Sequence, residues 1–134
     1  MGINRDTDYA VRALLCMAKL SAKTGASIIP VKTIVKREKL PRVFLRRLLQ
    51  ELARKKILKS QKGKGGGFSF RKPPETISID EVMTLFQGPM DLTNCVLGGK
   101  ACPRRSYCKL RRRLKAMSEN IRQELREITI AGLV

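Results

Sequence analysis

The sequence predicts a mainly α-helical fold with one small β-hairpin. Apolar residues recur at helical spacing along most of the 134 residues, and one glycine-rich stretch separates two short extended runs. The length fits one compact unit, and 43% hydrophobic residues are enough for a core. The net charge is +18, from 29 Lys and Arg against 11 Asp and Glu. Such a charge repels itself unless a polyanion neutralises it, so nucleic acid is the first candidate partner.

The first two helices precede a proline. A helix is expected over residues 6–20, where Asp6 or Thr7 can cap the start and the Gly25 region ends it. Its apolar positions at helical spacing are Val11, Leu14, Leu15 and Ala18. A short extended piece over residues 28–30 follows. The second helix is expected at Val31–Glu38, with Val31, Ile34 and Val35 on one face.

A third helix is expected over residues 41–55, because Pro41 suits a first helical turn. Only Lys39 and Leu40 join it to the second helix, and this arrangement describes a helix-turn-helix. The residues predicted to point inward are Phe44, Leu45, Leu48, Leu49 and Leu52. Those predicted to point outward are Arg42, Arg46, Arg47, Gln50 and Arg54.

A hairpin is expected next, with strands at residues 57–62 and 68–70 and a turn over 63–67. Glycine supplies the positive φ angles of a tight turn. A phosphate-binding loop is excluded, since the glycines are followed neither by Lys-Ser/Thr nor by a helix. A helix-turn-helix followed by a basic hairpin predicts a winged helix.

The second half of the chain predicts a short helix and a long one. Ser78 can cap a helix to about residue 86, and Gly88-Pro89 ends it. Residues 94–107 are expected to be irregular, and a long helix runs from 109 to about 130. Its apolar residues follow steps of 4, 3, 4, 4 and 3, close to the coiled-coil period, and form what we call the apolar seam: Leu110, Leu114, Met117, Ile121, Leu125 and Ile128.

The apolar seam favours a helix-to-helix homodimer, with packing onto the chain's own core as the alternative. The chain is accordingly divided into a winged helix-turn-helix domain (1–90), a cysteine-bearing loop (91–108) and a dimerisation helix (109–134). All three are expected to form a single structural unit.

The basic residues concentrate on the predicted winged helix. Residues 36–72 hold 14 Lys and Arg but only two acids, Glu38 and Glu51. A charge run is usually a solvated face, but this one falls on the recognition helix and the hairpin. Arginine suits guanine edges and lysine suits phosphates, so double-stranded DNA is the expected partner. The expected contact residues are Arg42, Phe44, Arg46, Arg47, Gln50, Lys62 and Lys64.

Three cysteines precede the long helix with the spacing Cys95-x6-Cys102-x5-Cys108. Structural zinc favours paired cysteines and four ligands, whereas iron–sulfur clusters tolerate more open loops. No acid lies between Asp91 and Glu119, while eight Lys and Arg do, and these would stabilise an anionic cluster. Free thiols or a reversible disulfide remain alternatives. Cys16 lies on the apolar face of the first helix and is expected to fill the core.

Other classes of protein fit less well. The chain has no histidine, the commonest general base, so an enzyme is not expected. No run approaches the ~20 apolar residues of a membrane span, and no signal peptide is evident, so we expect a cytoplasmic protein without membrane association. A basic RNA-binding or membrane-surface protein would explain neither the hairpin after a helix-turn-helix nor the apolar seam.

The sequence resembles the bacterial Rrf-type winged-helix regulators almost end to end. This family includes the iron–sulfur cluster assembly regulator, the nitric-oxide-sensing repressor and the iron-responsive regulator of rhizobia. The matching motifs, besides the three cysteines, are Thr7-Asp8-Tyr9-Ala10-Val11-Arg12-Ala13-Leu14, Phe44-Leu45-x-x-Leu48-Leu49-x-x-Leu52, Gly63-x-Gly65-Gly66-Gly67-Phe68, Pro73-Pro74-Glu75-x-Ile77-Ser78-Ile79 and Gly88-Pro89.

The resemblance implies a homodimer that binds a partly palindromic operator, with an iron–sulfur cluster held by Cys95, Cys102 and Cys108. Where the family uses a histidine for a 2Fe–2S cluster, this chain has Arg111, which cannot ligate. Asp8 matches the aspartate that the nitric-oxide-sensing repressors supply from the other subunit. A 4Fe–4S cluster with Asp8 in trans is therefore favoured, a 2Fe–2S cluster stays possible, and a small thiol or water is the alternative fourth ligand.

The chain departs from the family at two places. The first cysteine gap is one residue longer than the commonest spacing, and Arg46-Arg47 replace an acid and a glutamine of the assembly regulator. The expected function is a repressor whose affinity for DNA is tuned by a cluster that senses nitric oxide, redox state or iron. The alternative is a cofactor-free winged-helix repressor controlled by a protein partner or by thiol oxidation.

Overall fold

The computed structural model describes residues 2–93, 103 and 106–134. Within these residues it confirms a mostly helical fold with one two-stranded antiparallel hairpin. The helices are α1 (Arg5–Thr24), α2 (Val31–Glu38), α3 (Arg42–Arg54), α4 (Ile79–Gln87) and α5 (Lys109–Glu127). The strands are β1 (Leu58–Gln61) and β2 (Gly67–Phe70), and short 3-10 helices lie at Pro74–Thr76 and Ala131–Leu133.

Helix α1 lies at the centre of the core and packs against α2, α3 and α4. Ala10 and Ala13 are fully buried, and their small side chains let the neighbouring helices approach closely. Cys16 belongs to the same core, where burial raises the pKa of its thiol and keeps it neutral. This placement agrees with the core-filling role expected for Cys16.

The start of α1 differs from the prediction by one residue. The helix begins at Arg5, and Asn4 caps it by accepting a hydrogen bond from the Thr7 amide through its side chain. Asp6 and Thr7 are therefore inside the first turn, and the cap expected at either of them is wrong. Asparagine is among the best N-cap residues because its short side-chain oxygen reaches the free amides of the first turn.

The hairpin is fixed to the body of the domain at its base. β1 and β2 pair with Leu58 opposite Phe70 and Gln61 opposite Gly67. The Ile29 amide donates to the Phe68 carbonyl at 2.8 Å, and the Phe68 amide donates to the Ile29 carbonyl at 3.0 Å. The extended piece before α2 thus acts as a third strand of the hairpin over one residue pair, and this pairing sets the position of the wing beside α2.

Helix α5 ends at Glu127, three residues earlier than expected. The chain then runs extended, and two backbone hydrogen bonds join it to the start of α4: the Ile79 amide donates to the Ile128 carbonyl, and the Ile130 amide to the Ile77 carbonyl, each at 2.9 Å. Ile128 is therefore outside the helix. Its assignment to a helical apolar seam is wrong, because these pairings replace the last turn.

Helix α5 also packs along α4. Asp80, which is 6% exposed, accepts hydrogen bonds from the Arg122 guanidinium at 3.3 and 3.4 Å. This interaction raises the pKa of Arg122. The Arg126 guanidinium lies 3.5 Å from the same carboxylate. Asp80 thereby links the C-terminal half of α5 to the winged helix-turn-helix.

The described residues contain no helix long and apolar enough to cross a membrane.

Candidate DNA-binding groove and cysteine segment

A basic groove of about 520 Å³ opens between α3, the start of α2 and the hairpin. Arg42, Arg46 and Gln50, spaced one helical turn apart, line the side formed by α3. Lys62 of the hairpin and Lys32 of α2 line the remaining sides. We call this surface the basic groove. It places four of the seven predicted DNA-contact residues around one space.

The turn of the hairpin needs glycine for two reasons. Gly63 and Gly65 adopt φ angles of 89° and 77°, which disfavour any side chain. A Cβ at Gly66 would lie 2.8 Å from the Gly63 carbonyl oxygen, far inside van der Waals contact. These requirements keep the turn tight and hold Lys62 on the wall of the groove.

Arg47 and Phe44 lie away from the basic groove. The Phe44 ring is half-buried between α3 and α1 and meets the Tyr9 ring edge-on, with centroids 5.6 Å apart. The guanidinium carbons of Arg47 and Arg5 lie 4.7 and 4.6 Å from the centre of the Phe44 ring. Arg47 also contacts Asp6 at 3.4 Å. Arg46 and Arg47, adjacent in sequence and predicted alike, therefore have different surroundings.

Several exposed or groove-lining residues were absent from the predicted set. The basic groove is also lined by residues outside the recognition helix: Lys32 of α2 and Ser60 and Gln61 of β1. Val43 is 86% exposed in the first turn of α3. Phe44 is the one apolar residue of α3 in the predicted contact set, and the apolar Val43 beside it was left out.

The apolar seam is divided between the core and the surface. Leu125 packs against the core, and Leu114 and Ile121 are half-buried. Leu110 and Met117 are 66% and 52% exposed. The described part of the chain therefore leaves apolar side chains of α5 uncovered, on the face that the heptad spacing assigned to a partner helix.

Of the three clustered cysteines, only Cys108 belongs to the described residues; Cys95 and Cys102 lie outside them. Cys108 caps α5, and its Sγ accepts a hydrogen bond from the Arg111 amide at 3.4 Å. A small pocket of about 140 Å³ beside it is lined by Ser106, Cys108, Arg111, Arg112 and Lys115. Among the described residues, no three His, Cys, Asp or Glu side chains lie close enough together to bind a metal ion.

Asp8, the candidate fourth ligand, lies on the exposed side of α1. Its carboxylate contacts the Arg12 guanidinium at 3.7 Å, one helical turn along. Arg12 in turn donates a hydrogen bond of 2.7 Å to the Glu38 carbonyl at the end of α2. The next residue, Lys39, adopts a left-handed conformation with φ of 53° and turns the chain towards α3. Arg12 thus links Asp8 to the end of α2, where the chain turns towards α3.

Comparison with known proteins identifies the family. A family model described as Rrf2, iron-dependent transcriptional regulator, matches residues 3–134. The chain belongs to the Rrf2 family. It is also similar to a protein of Aquifex aeolicus named as an HTH-type transcriptional regulator, with 28% identity over 130 residues, covering 96% of this chain and 90% of that one.

Several solved structures are similar in fold to this chain along nearly its whole length. The structure of CymR (YrzC), the global cysteine regulator of B. subtilis, has a TM-score of 0.75 at 18% identity, covering 99% of this chain and 95% of that one. T. potens IscR has a TM-score of 0.76 at 18% identity, covering 99% and 85%. At such identities, the likeness supports the fold alone.

The family assignment confirms three predictions. The chain is a winged-helix transcriptional regulator, the resemblance to Rrf-type proteins is correct, and the homologues are regulators rather than enzymes.

Proposed function

We propose that this Rrf2 protein is a homodimeric repressor that binds a specific DNA operator and whose affinity depends on an iron–sulfur cluster. The observation that carries the DNA-binding part is the basic groove. Recognition helices insert their N-terminal residues into the major groove, and Arg42 and Arg46 stand at that end of α3. The wing places Lys62 across the same space.

The residues of the basic groove divide into two roles. Arg46 and Gln50 project from α3 into open space, where arginine can bind a guanine edge and glutamine an adenine edge. Lys62 and Lys32 line the other sides of the groove and suit phosphates, which fix the register but carry no sequence information. Lys64 is exposed in the turn of the hairpin, outside the groove lining, and would reach a phosphate from there. Arg47 pairs with Asp6, and this ion pair must break before Arg47 can contact the DNA backbone or a base. Its role in specificity is therefore secondary to that of Arg46.

Dimerisation through α5 is supported by the exposed part of the apolar seam. Leu110 and Met117 leave much of their apolar surface in water, and burial of this surface against a second copy would favour the dimer through the hydrophobic effect. Two copies held by α5 would present two recognition helices, as a partly palindromic operator requires.

Cys95, Cys102 and Cys108, with Asp8 of the partner subunit, would hold the cluster. The surroundings of Cys108 fit an anionic group, because Arg111, Arg112 and Lys115 line the adjacent pocket and the first turn of α5 contains no acid. A bound cluster would supply a centre that nitric oxide, oxidants or iron shortage can destroy.

The protein's own contacts offer a route from that site to the DNA-binding surface. Cys108 fixes the start of α5, while Arg12 joins Asp8 to the carbonyl of Glu38. A change in the partner of Asp8 would change the restraint on Arg12 and hence on the connection between α2 and α3. Because α3 carries Arg46, the spacing of the two recognition helices would respond.

Anaerobic reconstitution with iron and sulfide tests the cluster. We expect brown protein with broad visible absorption, lost in Cys95→Ala, Cys102→Ala and Cys108→Ala but kept in Cys16→Ala, the control in the core. Asp8→Ala should shorten the lifetime of the cluster, since a weaker replacement ligand would take its place. Colourless wild-type protein would contradict the cluster and favour a cofactor-free repressor controlled by a protein partner or thiol oxidation.

A further inference from the structure

Val43 occupies the exposed surface of α3 without a structural reason among the described residues. It is 86% exposed, the highest value among the large apolar side chains described. A β-branched residue has lower helix propensity than alanine, so an uncovered valine in this helix contributes neither burial nor helical stability. Isolated apolar residues on surfaces are common, and it is the location of this one that matters.

Val43 lies at the edge of the α3 face that meets DNA in the proposed function, next to the residues of α3 that line the basic groove. It is one residue after Arg42, and it is three and seven residues before Arg46 and Gln50, both of which line the basic groove. Residues at these spacings share one side of a helix. Val43 is also in the first turn of α3, the end of a recognition helix that approaches base edges most closely.

The chemistry of the major groove offers one apolar partner for such a side chain. Every base pair presents hydrogen-bond donors or acceptors there, but only thymine presents a methyl group. Valine has one strongly preferred rotamer in a helix, so its two methyl groups would be held in place before DNA arrives. An arginine or lysine at this position would instead reach for a phosphate or guanine.

We propose that Val43 contacts the C5 methyl group of a thymine in each half of the operator and thereby selects T·A at that position. This inference rests on the proposed DNA-binding function and adds an apolar element to the readout by Arg46 and Gln50. The preference for thymine would come from the removal of its methyl group from water. This preference would not depend on the salt concentration in the way that the phosphate contacts do.

Removal of single methyl groups from DNA tests the proposal. An operator is first selected by the full-length wild-type protein from random DNA, and each thymine is then replaced by deoxyuridine, which lacks only the methyl group. We expect one symmetric position where affinity falls about fourfold for one half-site and about fifteenfold for both, the worth of one buried methyl group in each. Val43→Ala should lose affinity for the thymine operator and no longer distinguish thymine from deoxyuridine there.

Val134→Ala is the matched control, because Val134 is also exposed but follows the last helix. It should keep the full deoxyuridine penalty, and Val43→Ala should keep or raise the thermal midpoint, since alanine favours helix. Equal affinity of wild type for every deoxyuridine operator would overturn the inference alone, as would an unchanged penalty in Val43→Ala. A selection that enriched no sequence would overturn both this inference and the proposed function.

Discussion

Gly67→Ala should separate the wing from the body of the domain. A Cβ at Gly67 would overlap the carbonyl oxygen of Ile29 and lie 2.7 Å from its carbonyl carbon and 2.9 Å from the Cα of Pro30. These are backbone atoms, so relief requires β2 to move. The two hydrogen bonds between Ile29 and Phe68 would break, at about 1 kcal/mol each, and the φ of 155° would add about 1 kcal/mol of strain.

The expected loss of unfolding free energy is therefore about 3 kcal/mol, or about 10 °C in the thermal midpoint of a chain of this length. Gly65→Ala is the control. Gly65 has a φ of 77° but open space where its Cβ would be, so only the left-handed strain of about 1 kcal/mol, or about 4 °C, applies. Calorimetry of both variants checks this difference. Equal midpoints would refute the close approach of β2 to Ile29.

Three further predictions concern DNA, the dimer and the core. Arg46→Ala should cost about 1–3 kcal/mol of binding free energy on the operator and less on random DNA, as measured by fluorescence anisotropy. Lys62→Ala should weaken binding to the two DNAs equally. If Arg46→Ala lost the same binding free energy on both DNAs, base readout by Arg46 would be refuted. Leu110→Asp with Met117→Asp should give a folded monomer in sedimentation, because both side chains are exposed in one protomer; a persistent dimer would place the interface elsewhere. Cys16→Ala should lower the unfolding free energy by about 1 kcal/mol in urea denaturation and leave operator affinity unchanged.

Much of the fold could be predicted because it depends on local patterns. Helical spacing, the Ser78 cap and the run of glycines each act over a few residues, and the structure confirms the elements they predicted. The end of α5 could not be predicted in this way. Ile128 continues the apolar spacing, but hydrogen bonds with the start of α4, far away in the sequence, draw it out of the helix.

The candidate site was predictable in composition but not in orientation. Arg46 and Arg47 are identical in type, and helical geometry alone places both outside. The Phe44 ring and Asp6 hold Arg47 to one side, and only the packing of α1 against α3 shows this. The contact between Arg12 and the Glu38 carbonyl likewise joins two helices at a main-chain atom, which no residue pattern encodes.

The ratio of operator affinities with and without the cluster shows whether the cluster controls DNA binding. Wild-type protein is reconstituted anaerobically, one half is stripped of iron, and both are titrated with the selected operator and with random DNA at one salt concentration. We expect the two forms to differ about 5- to 150-fold in affinity for the operator, the usual range of coupling between two sites, and to differ little on random DNA. Equal operator affinity of the two forms would show that the cluster does not tune DNA binding.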